Sequence, residues 1–155
     1  TELPNRRSFH EQLAQFSLLK KRNNNPLSLI FIDVDNFKNI NDTKGHHVGD
    51  KVLKSLAETL NNNIRKSDFV ARWGGEEFVI LLINTDINQG QIIAEQLRSK
   101  VANSTNLLSS NQQQVTISLG LTEVTNEDTI DTVLKRADDA LYKAKSKGKN
   151  CIVSD

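Results

Sequence analysis

Four carboxylates stand where they could gather a divalent cation: Asp33 and Asp35, then Glu76 and Glu77. The first two close an apolar run, Leu27-Ser28-Leu29-Ile30-Phe31-Ile32. In extended backbone, residues two apart face the same way. Glu76 and Glu77 follow Gly74-Gly75. If the run from Leu27 to Val34 lies beside the segment that carries the glutamates, carboxylates from the two converge. Hard oxygen donors in that number suit Mg²⁺ or Mn²⁺ and not zinc, and no Cys/His pairs compete. Without such convergence, acidic residues at strand ends are simply solvated.

The two glycines remove side chains at a tip, so that phosphates or a base can approach the backbone closely. Alone they read as a hairpin turn. Arg72 before them, paired glutamates after them and Phe78 entering a hydrophobic strand make the run more specific. Cations are available in Lys38 and in the cluster Lys145, Lys147 and Lys149. A lysine trio at a helix end is also what the C-terminal dipole favours without any ligand.

These residues need elements to hold them. Arg6 to Arg22 reads as a helix with Phe9, Leu13 and Phe16 along one stripe, stopped by Asn23-Asn24-Asn25-Pro26. Leu27 to Val34 suits a central strand covered on both faces. A polar stretch with Gly45 and Gly49 follows, including His46 and His47 in a turn. Val48 to Ile64 then repeats apolar residues at helical spacing. Asp68–Trp73 and Glu77–Ile83 form two strands around the Gly-Gly tip, a hairpin signal because glycine accepts positive φ. A helix over Asn88–Val101, an exposed loop over Asn103–Gln113, an alternating strand over Val115–Val124, a helix over Thr129–Lys145 and a short strand over Cys151–Val153 complete the chain. This interleaving predicts an α/β sandwich whose mixed sheet contains an antiparallel pair. Phe9, Leu13 and Phe16 are core residues, Phe37 is core or a nucleotide wall, and Trp73 packs beside the hairpin.

Bulk properties narrow the function. A chain of 155 residues, 37% hydrophobic and 25% charged, fits one globular domain. A net charge of +1 lacks the basic footprint of duplex DNA binding. The apolar run Phe78–Ile83 is far short of a membrane span, and the N-terminus carries no signal-peptide pattern. The single cysteine, Cys151, suits a reducing compartment, hence the cytoplasm. The absence of methionine predicts that residues 1–155 are one domain of a longer, multidomain signalling protein, which could itself be membrane-anchored.

The run Gly74-Gly75-Glu76-Glu77-Phe78 resembles the signature of the GGDEF family of diguanylate cyclases, in its variant with Glu third. Ile32 to Asp42 and Gly45 to Asp50 look like that family's other blocks. Leu3-Pro4-Asn5-Arg6-Arg7 is similar to its N-terminal signature, and Ala137 to Lys145 to its C-terminal helix. The resemblance covers effectively the whole chain. It implies a cyclase- or palm-like mixed sheet of about five strands flanked by helices.

It also implies the chemistry: two GTP become cyclic di-GMP and two pyrophosphates. Asp33 and Glu76 then bind the metals, two Mg²⁺ or Mn²⁺ per active site, with the Val34 carbonyl contributing and Glu77 assisting. Glu76 also helps remove the attacking proton. Asn41 and Asp50 match positions that read guanine, since a carboxylate accepts from N1–H and N2–H₂ where adenine offers no such pair. Without the family match, Asp50 is an N-cap for the helix after Gly49. Phe37, Lys38, Gly74, Gly75, Lys145 and Lys149 border the substrate. Lys149 departs from the family's usual Arg, turning a phosphate fork into a point charge. Arg65-Lys66-Ser67-Asp68 matches an RxxD inhibitory site for the product, with Arg98 as a further contact. A homodimer is implied because the product is two-fold symmetric. The rival reading is a silent module that senses GTP or cyclic di-GMP; a cyclase for adenine-containing dinucleotides is disfavoured by Asp50.

Overall fold

The computed structural model describes residues 1–104 and 114–155. Helix α1 spans Arg6–Asn23; Asn5 caps its start by accepting from the Ser8 amide, and Asn24 ends it in a left-handed conformation. Strand β1, Leu27–Val34, is buried at every position, as its continuous apolar run requires. Next come α2 (Phe37–Lys44), α3 (His46–Asn62), β2 (Phe69–Arg72), β3 (Glu77–Ile83) and α4 (Ile87–Ala102). The chain closes with β4 (Ile117–Glu123), α5 (Ile130–Ser146) and β5 (Ile152–Ser154).

The sheet order is β2-β3-β1-β4-β5, with β4–β5 parallel and the other pairs antiparallel. The expected mixed five-stranded sheet with an antiparallel hairpin is therefore present. Its two faces bury separate clusters. Ile30, Ile32 and Val34 of β1 pack with residues of α2, α3 and α4 on one face. Leu27, Leu29 and Phe31 pack with Phe9, Leu13, Ala137 and Leu141 of α1 and α5 on the other. This alternation is the period-two geometry of a strand. At Gly120 in β4 the backbone of α5 lies directly on the sheet, where a Cβ would collide with the Ala137 carbonyl and the Leu141 amide.

Four local expectations are corrected. The polar stretch after β1 is helical, because Phe37 and Ile40, one turn apart, bury themselves and anchor α2. His46 and His47 open α3 and do not sit in a turn. That early start places Asp50 inside the helix, so the residue before α3 is Gly45 and Asp50 cannot be its N-cap. The Gly-Gly tip is a hairpin end, but neither glycine has a positive φ; only Gly45 and Gly148 do among the described glycines. The loop expected over Asn103–Gln113 falls, from residue 105 onward, outside the described residues.

Candidate active site

The central strand delivers the first acid. β1 runs antiparallel to β3 in a register that sets Asp33 directly opposite Glu77. Just past that pair, the Val34 amide donates to the Glu76 carbonyl at 3.2 Å. The tip between β2 and β3 is closed by the Trp73 amide donating to the Glu77 carbonyl at 2.8 Å. Arg72 laces the same tip, donating from Nε to the Gly74 carbonyl at 3.1 Å and from Nη2 to the Gly75 carbonyl at 2.7 Å. Gly74 has no positive φ, and a Cβ there would stand 2.7 Å from Glu77 Oε2, the end of a flexible side chain that can turn aside. Trp73 packs as expected, edge-on to Phe9 and Phe31, stacked on His10 and beneath the Arg6 guanidinium.

At the end of β1 opens a pocket of about 560 Å³. Asp33, Val34 and Glu76 form its acidic side, Phe37 and Lys38 of α2 border it, and Lys145 and Lys149 face in from the C-terminal region. Asp35, Asn36, Asn39 and Asp42 complete the lining. Of these, Asn36, Asn39 and Asp42 were not anticipated as site residues. Once α2 is recognised as a helix, Lys38 and Asp42 are four residues apart and share a face, which is the signal that was available. Lys147 is exposed at the end of α5 and does not line the pocket.

Asp33 is buried. One oxygen, Oδ2, accepts from the Lys145 ammonium; the other, Oδ1, is buried without a hydrogen-bond partner. A buried oxygen left open is costly unless something completes it. The site suits Mg²⁺ on that ground. Magnesium is held by one or two carboxylates plus waters and substrate phosphates, not by a full protein cage. Among the described residues, no group of three or more His, Cys, Asp or Glu side chains is gathered to hold a metal by itself. Burial lowers the pKa of Lys145, and the neighbouring Lys149 lowers it further.

Glu77 stands apart from the pocket wall. Partial burial raises its carboxyl pKa, and the charges of Asp138 and Glu76 add to the effect against an opposing pull from Arg6. Asp35 lies on the same face as Asp33, as their spacing implies, because it bonds Ser118, the residue paired with Asp33 across β1 and β4. Both of its oxygens are engaged. They accept from Ser118 Oγ at 2.6 Å, Thr116 Oγ1 at 2.7 Å and the Asn150 amide at 2.9 Å.

Asn41 and Asp50 lie outside the pocket lining. Asn41 Oδ1 is buried without a partner and packs against Gly49, where any Cβ would collide with it. Asp50 is exposed on α3.

Arg65 and Asp68 form a second centre. Arg65 Nε is 3.3 Å from Asp68 Oδ2, and Arg65 Nη2 donates to the Ile83 carbonyl and to Thr85 Oγ1. Asp68, 1% exposed in its side chain, accepts from the Arg65 and Ile83 amides. Both residues border a cavity of about 630 Å³ with Asn84, Gln89 and Gln96 on its walls. Arg98 is not on that wall. It is held instead by Glu95 and by Asn150 Oδ1.

The family model "Diguanylate cyclase, GGDEF domain" matches residues 1–151. Diguanylate cyclase DgcP of Pseudomonas aeruginosa is 41% identical over 150 residues, covering 97% of this chain and 22% of that protein. The chain thus spans about a fifth of that relative's length. The active GGEEF domain of a diguanylate cyclase from Vibrio cholerae superposes with a TM-score of 0.93 at 37% identity, covering 99% of this chain and 97% of that one. The coiled coil and GGDEF domain of DgcB from Caulobacter crescentus, in complex with c-di-GMP, also gives 0.93, at 28% identity, covering 100% of this chain and 83% of that one.

Proposed function

The chain belongs to the GGDEF diguanylate cyclase family, and we propose that it condenses two molecules of GTP into cyclic di-GMP with release of two pyrophosphates. In each half-reaction a 3′-hydroxyl attacks the α-phosphate of the other nucleotide, forming the phosphodiester as the bond to pyrophosphate breaks. The observation that carries this reading is the Asp33 carboxylate with one buried oxygen open, on a pocket that Glu76 shares and two lysines face.

Asp33, the Val34 carbonyl and Glu76, with Glu77 assisting, would hold two divalent cations (Mg²⁺ or Mn²⁺) that acidify the attacking hydroxyl and neutralise the triphosphate. Glu76 takes the hydroxyl proton. Lys38, Lys145 and Lys149 meet the phosphates, while Phe37 and the Gly74-Gly75 tip border the nucleotide. Asn41 and Asp50 read guanine. Asn41 supports this role with its open buried oxygen, and Gly49 leaves it room.

Two copies of the domain meet head to head, each presenting one GTP, because the product is two-fold symmetric. Product also binds at Arg65 and Asp68 and restrains turnover. The lone Cys151 supports a cytoplasmic setting, and no helix among the described residues is long and apolar enough to cross a membrane.

Incubation with GTP and Mg²⁺, with products separated by chromatography, tests the proposal. Cyclic di-GMP and pyrophosphate are the expected products. Their absence at high protein concentration, even after enforced dimerisation, refutes the enzyme and leaves the alternative of a module that binds GTP or cyclic di-GMP without turnover.

A further inference from the structure

We propose that Asp35 is a positioning residue: it clasps the turn after α5 so that Lys149 stands over the nucleotide pocket, and Arg98 braces that turn from its other side. The inference rests on the nucleotide reading of the pocket and adds to it how one of its cations is held.

The turn needs holding. Gly148, Lys149 and Asn150 have φ of 117°, 66° and 47°, three successive positive values, and for lysine that conformation is disfavoured. Strain of this kind persists only where the surroundings over-determine it. Here they do. The Asn150 amide donates to Asp35 Oδ2 at 2.9 Å, and the Asn150 side-chain oxygen accepts from Arg98 Nη1 at 2.8 Å. Arg98 is itself fixed by two bonds to Glu95, at 2.6 and 2.8 Å. The Lys149 amide donates to the Ala144 carbonyl at 3.2 Å, and the Leu119 amide donates to the Cys151 carbonyl at 3.0 Å, tying the turn to α5 and β4.

Asp35 is built for this task and not for a ligand. It is 5% exposed, and hydroxyls of Thr116 and Ser118 fix its carboxylate plane. Its own amide donates to the Thr116 carbonyl at 2.9 Å. A carboxylate can accept from all three partners at once, and charge-assisted bonds are the stronger ones. The consequence falls on Lys149, whose Nζ reaches across to Asn36 Oδ1 at 2.6 Å, on the pocket lining. Without the clasp, a free lysine at the end of a relaxed turn would not be presented there.

A double-mutant cycle separates positioning from general damage. Binding of a GTP analogue with a methylene bridge between its α and β phosphorus atoms, and of GMP, is measured by calorimetry with Mg²⁺. Asp35→Asn is expected to weaken the analogue about tenfold with GMP unaffected, and to have almost no effect in a Lys149→Ala background, since coupled residues are non-additive. Arg98→Ala, outside the pocket, serves if Asp35→Asn folds poorly, and is expected to show the same cancellation. Additive losses in both cycles overturn the proposal. Hydrogen exchange at the Asn150 amide, read without nucleotide, should accelerate in Asp35→Asn; unchanged protection also overturns it. If exchange accelerates while the unsubstituted chain binds no analogue, the clasp stands and the nucleotide reading falls.

Discussion

The Lys145 ammonium donates to Oδ2 of Asp33, while Oδ1 of the same carboxylate is buried and unpaired. The lysine occupies the side of the acid that a cation would otherwise neutralise. Removing it leaves a buried charge without its partner, the costly half of a broken ion pair. Lys145→Ala is therefore expected to destabilise the chain by about 2 kcal/mol, less than a fully buried pair because the lysine is partly exposed. Millimolar Mg²⁺ should narrow the gap, since binding to the folded state alone stabilises it. Thermal unfolding with and without Mg²⁺ reads this directly. A gap that magnesium leaves unchanged removes Asp33 from the metal site.

Glu76→Gln keeps the shape of the side chain and loses the charge and the base. Turnover should fall by at least about 10²-fold, within the usual contribution of a positioned base. Stability should move by less than about 0.5 kcal/mol, as the Glu76 side chain makes no hydrogen bond or ion pair among the described residues and is partly exposed. Cyclase assays and denaturant melts on the same preparation distinguish the two effects. Near-normal turnover would place the chemistry elsewhere.

Glu77 gives a pH signature. Its pKa is raised in the folded chain by burial, then by Asp138 and Glu76. A raised carboxyl contributes stability that is fully present below its unfolded pKa and lost as pH rises through the folded value. Glu77→Gln should therefore gain on the parent as pH rises from about 4 toward 7. The gain stays within about 1 kcal/mol because solvent screens much of the side chain. Melting curves across that range test the sign; a gap that shrinks with rising pH would contradict it.

Gly120→Ala places a methyl group against the backbone of α5, with Leu141 Cα at 2.9 Å in addition to the Ala137 carbonyl and Leu141 amide. Backbone cannot rotate out of the way as a side chain can. The expected loss is about 3 kcal/mol, at the upper end for overpacking. Urea denaturation measures it, and a loss below about 1 kcal/mol would mean that α5 lifts freely from the sheet.

Arg65→Ala removes a guanidinium that is half exposed and sits on the cavity rim with Asp68. If product is held there, the concentration needed for half inhibition should rise about tenfold, the worth of one good charged hydrogen bond. Initial rates, measured before product accumulates, should stay similar. Unchanged inhibition would remove Arg65 from product binding.

What the sequence made legible follows from how locally each feature is written. β1 was readable because burial on both faces forces a continuous apolar run, and α5 because six buried residues recur at helical spacing. α2 was not, since half of its residues are exposed and it buries only Phe37 and Ile40. The alternative of Asp50 as a cap fails because α3 starts at His46, before its apolar stripe begins. Spacing correctly implied that Asp33 and Asp35 share a face. It could not say that β4 would bring Thr116 and Ser118 to engage the second of them, nor that α5 would bring Lys145 to the first. Those partners lie more than eighty residues away in the chain, beyond any local pattern.

The pocket draws its acids from the first half of the chain and two of its three lysines from the last stretch, at residues 145 and 149. A ribosome makes these parts in order. At about 5–20 residues per second, Glu76 precedes Lys149 by roughly 4–15 s. Through that interval the nascent chain carries carboxylates that repel a triphosphate and lacks the lysines at 145 and 149 to offset them. On the proposed function, nucleotide capture would wait until both of these lysines have been made, so the order of translation would keep an unfinished domain from holding GTP.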